Sequence, residues 1–445
     1  MLSPLSNNLN ITPDKNRVSF GAGKVYLWFD NDGTFIPYRN RTELNSQVTK
    51  QGGRKALSKR FNRFREFLEK SQGTVQLNIS TGQNISKFLN VIANLNSKCH
   101  FYVLPEKVAV NDGGDLFEIA REEVNPVAKD NENALNRIKK MFGFIIGKGN
   151  TDRKESARFQ NYSLNLDKRQ EIIDKTNWNY QFIKDTVTKA LNDKGFRVFD
   201  ESKDFGSEGI GKLKDFRKKH QRGNVAVIID GGEFNFFIRL LPEEGSHFSH
   251  HNLSVINNDI RTALYERNIK FSLKKNLKDN ANAFMPTLRI VPIIDNMPVS
   301  KAYDITKIVK KAKEENDLVI VAGDGDNDIR MLNPDTYQNI VPREELPLRG
   351  IAITHPTKFH NSRDLLNLAR KKENKEFITI STPEALLSTV KRTIRAYAEK
   401  NPEFKQALNP NVAQDIIKTT LQSDLNETLK LNNTDNETEI FTFDI

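Results

Sequence analysis

The chain has 445 residues, 28% of them charged, and a net charge of +11, which is enough length for two or three domains and a sizeable core beneath a very polar surface. Its single cysteine, Cys99, excludes an intramolecular disulfide framework and a cysteine-rich zinc site, and it reads as a small buried apolar residue. The positive charge favours anionic partners, yet the basic runs Lys55 to Arg65, Lys212 to Arg222 and Lys307 to Lys313 are dispersed, so each reads as solvated surface and nucleic acid is not the expected partner.

Residues 1–23 are rich in Asn, Ser and Pro and lack a continuous apolar stretch. They predict a flexible lead-in without a secretory signal. No later apolar run is long enough to span a bilayer; the expectation is a cytoplasmic protein with no membrane partner. The stretch Val25 to Pro37, VYLWFDNDGTFIP, then runs five apolar residues into Asp30 and Asp32, placing two carboxylates where a buried strand ends and the chain turns. A calcium loop would need glycine at its sixth position and glutamate at its twelfth, where this chain has Phe35 and Arg41, and that reading fails. A solvated acidic turn remains open from this stretch alone.

From Arg54 to Ser71, apolar residues Leu57, Phe61, Phe64, Phe67 and Leu68 recur at helical spacing. Thr74 to Ile79 predicts a second strand ending at Ser80-Thr81-Gly82, and Asn84 to Asn96 a second amphipathic helix. Alternating strand and helix implies parallel strands joined by right-handed crossovers. Strands at Phe101 to Leu104 and Val108 to Val110 lead into Asn111-Asp112-Gly113-Gly114-Asp115, whose composition suits a tight hairpin, with its acids read as turn residues.

Beyond about Glu118 the texture changes, with more charge, a helical stretch at Trp178 to Lys194 and isolated strands at Val225 to Ile229, Phe234 to Leu240 and Leu288 to Ile293. Asp230-Gly231-Gly232-Glu233 reads as a hairpin turn. His247, His250 and His251 form a loose cluster without the rest of a metal-ligand pattern. Lys301 follows Met297-Pro298-Val299-Ser300 and opens a helix, Ala302 to Lys313. The apolar strand Asp317 to Ala322 then delivers Gly323-Asp324-Gly325-Asp326-Asn327-Asp328, again with carboxylates at a strand's end. Gly350 to Thr354, Ser362 to Lys371, Phe377 to Ile380 and Pro383 to Glu399 complete the alternation, and residues 401–445 form an extension with a short helix at Val412 to Leu421 and a polar end.

DNDGT, STGQ, the lysine of PVSKA and GDGDND occur in order, and together they resemble the four motifs of the haloacid dehalogenase (HAD) superfamily of phosphatases. The spacing is similar to the Cof-type and sucrose-phosphatase-like branch, where a large cap lies between the second and third motifs. LPEKVAVNDGGDLF (Leu104 to Phe117) and GIAITHP (Gly350 to Pro356) resemble two further stretches of that branch. Gln83 stands where many members have arginine, and Ala302 where glycine often follows the lysine.

The resemblance implies an α/β fold: a Rossmann-like HAD core with a parallel sheet, built from residues 24–117 and 297–400, plus an inserted α+β cap over 118–296. It implies Asp30 as a nucleophile forming an aspartyl-phosphate, and Asp32 as the acid that protonates the leaving oxygen and then activates water. Thr81, Gly82 and Lys301 would hold the phosphoryl oxygens. Asp30, Asp32 and Asp324 would bind Mg²⁺, with Asp328 holding the metal shell or Lys301 in place and Asn327 in support. A cation is needed on electrostatic grounds too, because two unit charges about 4 Å apart repel by roughly 4 kcal/mol at an effective dielectric near 20, and a phosphate dianion roughly doubles this. The expected substrate is a small phosphorylated metabolite such as a sugar phosphate. A phosphotransferase or mutase, a nucleic-acid-end phosphatase, and a degenerate fold acting as a binding module are the alternatives.

Overall fold

In the computed structural model the described residues are 23–36, 53–85, 87–89, 91, 105–119, 162–205, 223–229, 232–241, 243, 250–276, 286–354 and 363–417. Strand β1 (Val25–Asp30) is buried along its whole length because successive side chains point to opposite faces and both faces are covered. Val25, Leu27 and Phe29 enter one apolar layer. Tyr26 and Trp28 enter the other.

On the first face lies α1 (Gly53–Lys70), whose Phe61, Phe64 and Phe67 are buried against the strand. Phe64 meets Phe29 edge-on at 6.2 Å between ring centroids. Each of these phenylalanines contributes roughly 1.5–3 kcal/mol by burial.

The large sheet is ordered β14-β13-β12-β1-β2-β3-β4-β5. Beside β1 on one side are β2 (Val75–Ser80) and β3 (Lys107–Val110), and on the other β12 (Leu318–Gly323), β13 (Leu348–Ile353) and β14 (Ile378–Ser381). All six of these strands are parallel. Two antiparallel strands, β4 (Asp115–Ile119) and β5 (Tyr162–Leu164), finish the edge. The core is therefore the expected Rossmann-like α/β arrangement, with β1 central and the ends of β1, β2 and β12 side by side. The other face is covered by α5 (Lys301–Glu314) and α6 (Ile329–Leu332), through Ile305, Val309, Met331 and Leu332.

Residues 118–296 lend β5 and the end of β4 to this sheet. After β5, α2 (Leu166–Thr176) and α3 (Tyr180–Asn192) lead into a second sheet ordered β11-β10-β8-β7-β6, with β9 also pairing β10. Its strands are β6 (Phe196–Asp200), β7 (Asn224–Ile229), β8 (Phe236–Leu241), β9 (Phe271–Asn276), β10 (Thr287–Ile294) and β11 (Met297–Pro298). One face packs on α3 and α4 (His250–Glu266), with Ile238, Leu273, Leu288 and Ile290 against Val187, Leu191, Ile256 and Ile260. Lys275 belongs to that helix-covered face, since its Nζ donates to Ser254 Oγ of α4 at 2.8 Å. By alternation Lys274, and Arg289 directly opposite it in register, lie on the other face, with Val225 and Val227.

Two further helices, α7 (Arg363–Arg370) and α8 (Leu386–Lys400), follow β13 and β14. The carboxyl-terminal extension adds α9 (Pro402–Ala407) and helical residues 410–417, which pack Phe404, Val412 and Ile416 into the core beneath α1. Asp317, just before β12, is fully buried, and its Oδ1 accepts from Lys24 N–H at 2.8 Å. The lead-in up to residue 22, Cys99, the strand read at residues 101–104, His247, Asp230, Gly231 and the tail after residue 417 lie outside the described residues. No helix among the described residues is long and apolar enough to cross a membrane.

Candidate active site

At the carboxyl end of β1 the chain doubles back in a turn closed by Phe35 N–H to Asp30 O (3.1 Å), Ile36 N–H to Asn31 O (2.9 Å) and Gly33 N–H to Ile36 O (2.8 Å). Gly33 sits at φ +84°, a conformation that costs glycine nothing. Phe35 and Ile36 are buried in the core and pin the turn. The residue that spoils a calcium loop is thus an anchor for the acids before it.

Asp30 is 6% exposed and Lys301, which opens α5, is 1% exposed. Lys301 Nζ donates to Asp30 Oδ1 at 2.5 Å and to Asp328 Oδ1 at 2.8 Å. The other oxygen of Asp328 accepts the backbone N–H groups of Asp324 and Gly325, each at 3.0 Å, so this carboxylate shapes the loop after β12. Gly323 lets it fold so tightly, because a Cβ there would collide with the Asp328 side chain.

Ligand oxygens of Asp30, Asp324 and Asp328 lie within 4.8 Å of one another, and this is the one group of its kind among the described residues. Three carboxylates around one ammonium leave an excess of negative charge in a buried place. Burial first, then the charges of Asp328 and Asp324, push the Asp30 carboxyl well above its ordinary pKa, against the pull of Lys301. Burial likewise raises Asp328. For Lys301 burial works to lower the pKa, but Asp30 and Asp328 outweigh it and hold the ammonium above its ordinary value. A set of buried carboxylate oxygens with surplus negative charge fits a small hard divalent cation such as Mg²⁺.

Asp32 stands apart from that trio. Its Oδ2 accepts from Gln83 Nε2 and its Oδ1 from Asn31 Nδ2 at 3.2 Å. Burial pushes its carboxyl up to about 6, partly offset by Lys301 and the Gln83 hydrogen bond, which brings it into the range where a carboxyl can both give and take a proton.

Thr81, 1% exposed, follows β2. Its Oγ1 accepts from Gln83 N–H at 3.1 Å, and a hydroxyl that accepts still has a proton to donate. Its backbone is tied to the neighbouring turn by Thr81 N–H to Ala109 O (2.8 Å) and Asp112 N–H to Thr81 O (3.0 Å).

Asp30, Thr81, Lys301, Asp324 and Asp328 are buried together, and Asp32 and Gly82 border them. Asn327 is exposed on the loop. His251 is exposed at the start of α4 and belongs to no metal-ligand group among the described residues.

Sequence reasoning missed Asp112, which reads as a turn acid. Its carboxylate lies 3.1 Å from the position a Cβ would take on Gly82, and its Oδ2 is 3.0 Å from Arg289 Nη2 on β10. The second sheet therefore reaches the edge of the loop that follows β2. Gly232 likewise closes on the Asn111 and Asp115 side chains, and Lys168 of α2 donates to Gly113 O (2.9 Å) and Asp304 Oδ2 (2.7 Å). Asn111, Asp112 and Gly113 all have positive φ, a left-handed run that shapes this turn for contact and that only the structure reveals.

No family model matches the chain, and no curated protein matches it. Among solved structures, a haloacid dehalogenase-like hydrolase protein from Bacillus subtilis aligns at TM-score 0.41 and 13% identity over 84% of this chain and 93% of that one. Trehalose-6-phosphate phosphatase from Aspergillus fumigatus aligns at 0.38 and 10% over 84% and 94%. IMP-nucleotidase from Plasmodium falciparum aligns at 0.31 and 15% over 78% and 64%. The chemical reading rests on the side chains described above.

Proposed function

We propose that the chain is a metal-dependent phosphomonoester hydrolase of the HAD type, acting on a small phosphorylated metabolite through an aspartyl-phosphate. The observation that carries this reading is the buried grouping of Asp30, Asp324 and Asp328 around Lys301 at the ends of two adjacent parallel strands, the place where open α/β sheets bind ligands. Uncatalysed phosphate-monoester hydrolysis is extremely slow. Charge stabilisation and positioning must supply most of the acceleration.

Asp30 attacks phosphorus, forming a carboxylate oxygen–phosphorus bond as the bond to the leaving oxygen breaks. Asp32, held by Gln83 and Asn31, gives its proton to that oxygen. As a carboxylate it then takes a proton from water, whose oxygen attacks phosphorus, frees Asp30 and releases inorganic phosphate. Lys301 and Thr81 contact the oxygens that are not transferred, and Gly82 offers a close backbone approach. A divalent cation held by Asp30 and Asp324, and oriented by Asp328, would neutralise phosphoryl charge. The second sheet, reading as a cap over residues 118–296, would exclude water and contact the leaving group.

The test is release of inorganic phosphate from p-nitrophenyl phosphate and a panel of phosphomonoesters with Mg²⁺, combined with acid quenching to trap phosphate on Asp30. Release in Mg²⁺ that vanishes with chelator is expected. Turnover without any acid-trapped phosphoprotein would overturn the covalent route. Transfer to alcohols in preference to water would instead identify a phosphotransferase.

A further inference from the structure

Lys168 of α2 carries a buried charge that no step of the reaction uses. Its ammonium donates to Asp304 Oδ2 at 2.7 Å and to Gly113 O at 2.9 Å, and the two charged side chains are only 3% and 6% exposed. Taking both charges out of water is costly, and a well-packed apolar pair of similar volume commonly serves stability as well or better. What the ion pair adds is direction, because an ammonium with three donors can fix two acceptors at once.

Both acceptors support the phosphate grip. Asp304 lies three residues beyond Lys301 at the start of α5, the spacing that makes two side chains neighbours on a helix surface. Gly113 belongs to the turn in which Asp112 N–H reaches Thr81 O at 3.0 Å. The two supports abut, since a Cβ on Gly113 would collide with the carbonyl of Ser300, just before Lys301. Farther along the same helices Glu171 of α2 accepts from Lys307 of α5. Tyr303 of α5 packs into the apolar cluster of the second sheet, while Ile305 and Val309 enter that of the large one. Resting on the hydrolase reading above, we infer that Lys168 is a positioning residue for phosphoryl binding: from α2 it holds the turn tied to Thr81 and the helix start that carries Lys301 at one fixed spacing, without touching substrate. Thr81 and Lys301 come from distant parts of the chain, so no local geometry sets the distance between them. The ammonium bonded to both supports does.

The double substitution Lys168→Met/Asp304→Leu separates positioning from stability. It removes both charges together and leaves no lone buried ion, so the denaturation midpoint should stay near that of the wild type. With Mg²⁺, kcat/KM for p-nitrophenyl phosphate, phenyl phosphate and glycerol 3-phosphate should nevertheless fall by about tenfold to a hundredfold, the effect of misplacing groups that grip a reacting centre. The factor should be the same for all three esters, because they share the phosphoryl group and differ in the leaving group. A folded double variant within about twofold of the wild type, a loss confined to glycerol 3-phosphate, or a collapse of the midpoint that makes the pair a requirement of the fold itself would each overturn the inference. Should the wild-type chain hydrolyse none of these esters, the hydrolase reading fails first, and amide hydrogen exchange then decides. Exchange faster by about tenfold or more at Asp112 and Tyr303 in the folded double variant keeps Lys168 as the brace of both supports, and unchanged rates remove it.

Discussion

Lys301 Nζ lies 2.5 Å from Asp30 Oδ1, with both side chains almost wholly out of water. This ammonium is bonded to two of the three clustered acids, Asp30 and Asp328. Lys301→Met should therefore strand buried negative charge and destabilise the fold by about 3–5 kcal/mol, read as a fall in the denaturation midpoint. Adding Asp30→Asn to that variant should recover part of the loss, because one carboxylate then no longer needs a counter-charge. Additive losses in the double variant would show that the pair is not coupled.

Asp30→Asn alone should abolish turnover while leaving the thermal midpoint unchanged or raised. The amide keeps the volume and removes a carboxylate whose charge is disfavoured by burial first and then by the charges of Asp328 and Asp324. Phosphatase activity retained in the purified variant would remove Asp30 from the role of nucleophile.

Divalent cation binding should be visible without substrate. Mg²⁺ at about one hundred times its dissociation constant should stabilise the fold by about 2.7 kcal/mol, seen as a rise in melting temperature that chelator reverses. Asp324→Asn should erase most of that rise. Ca²⁺ should support turnover poorly, since its longer bonds and looser coordination misplace the phosphoryl group. An Asp324→Asn protein that responds to Mg²⁺ like the wild type would exclude this carboxylate from the site.

A separate prediction concerns Asp317, far from the chemistry. Burial raises its carboxyl from 3.8 to about 6, so between those values the folded state holds a proton that the unfolded state releases. Stability from this group is full below about pH 4 and declines as pH rises through about 6. Asp317→Asn should remove that decline and stabilise the protein at pH 7 or above by something on the order of 1 kcal/mol, with little gain at pH 4. Unfolding curves at both pH values check the sign.

The sheet and the strand-end positions of the candidate site residues were legible because they are written in short local patterns. An apolar run buried on both faces, ended by carboxylates, located β1 and β12, and helical spacing of Phe61, Phe64 and Phe67 located α1. The place of Asp328 beside Asp30 was less legible. Its tie to Lys301 is among the roles the resemblance implies, but its second role as loop brace depends on a backbone approach at Gly323 that has no sequence period. The Asp112–Arg289 and Lys168–Asp304 pairs were not legible at all, since each joins residues far apart in sequence whose local context is an ordinary turn or an ordinary helix. The addition of β5 to the edge of the large sheet was hidden for the same reason, as a three-residue strand carries almost no pattern.

The turn around Gly113 ties these parts into a single linkage. A Cβ at Gly113 would collide with the carbonyl of Ser300, the residue that precedes Lys301, while the carbonyl of Gly113 holds Lys168 of α2 and its neighbour Asp112 holds both Thr81 and Arg289. Any swing of the smaller sheet away from the larger one loads this turn, and the turn bears on both Thr81 and the start of α5. Separating the two sheets would therefore strain the backbone at Thr81 and at the start of α5 together.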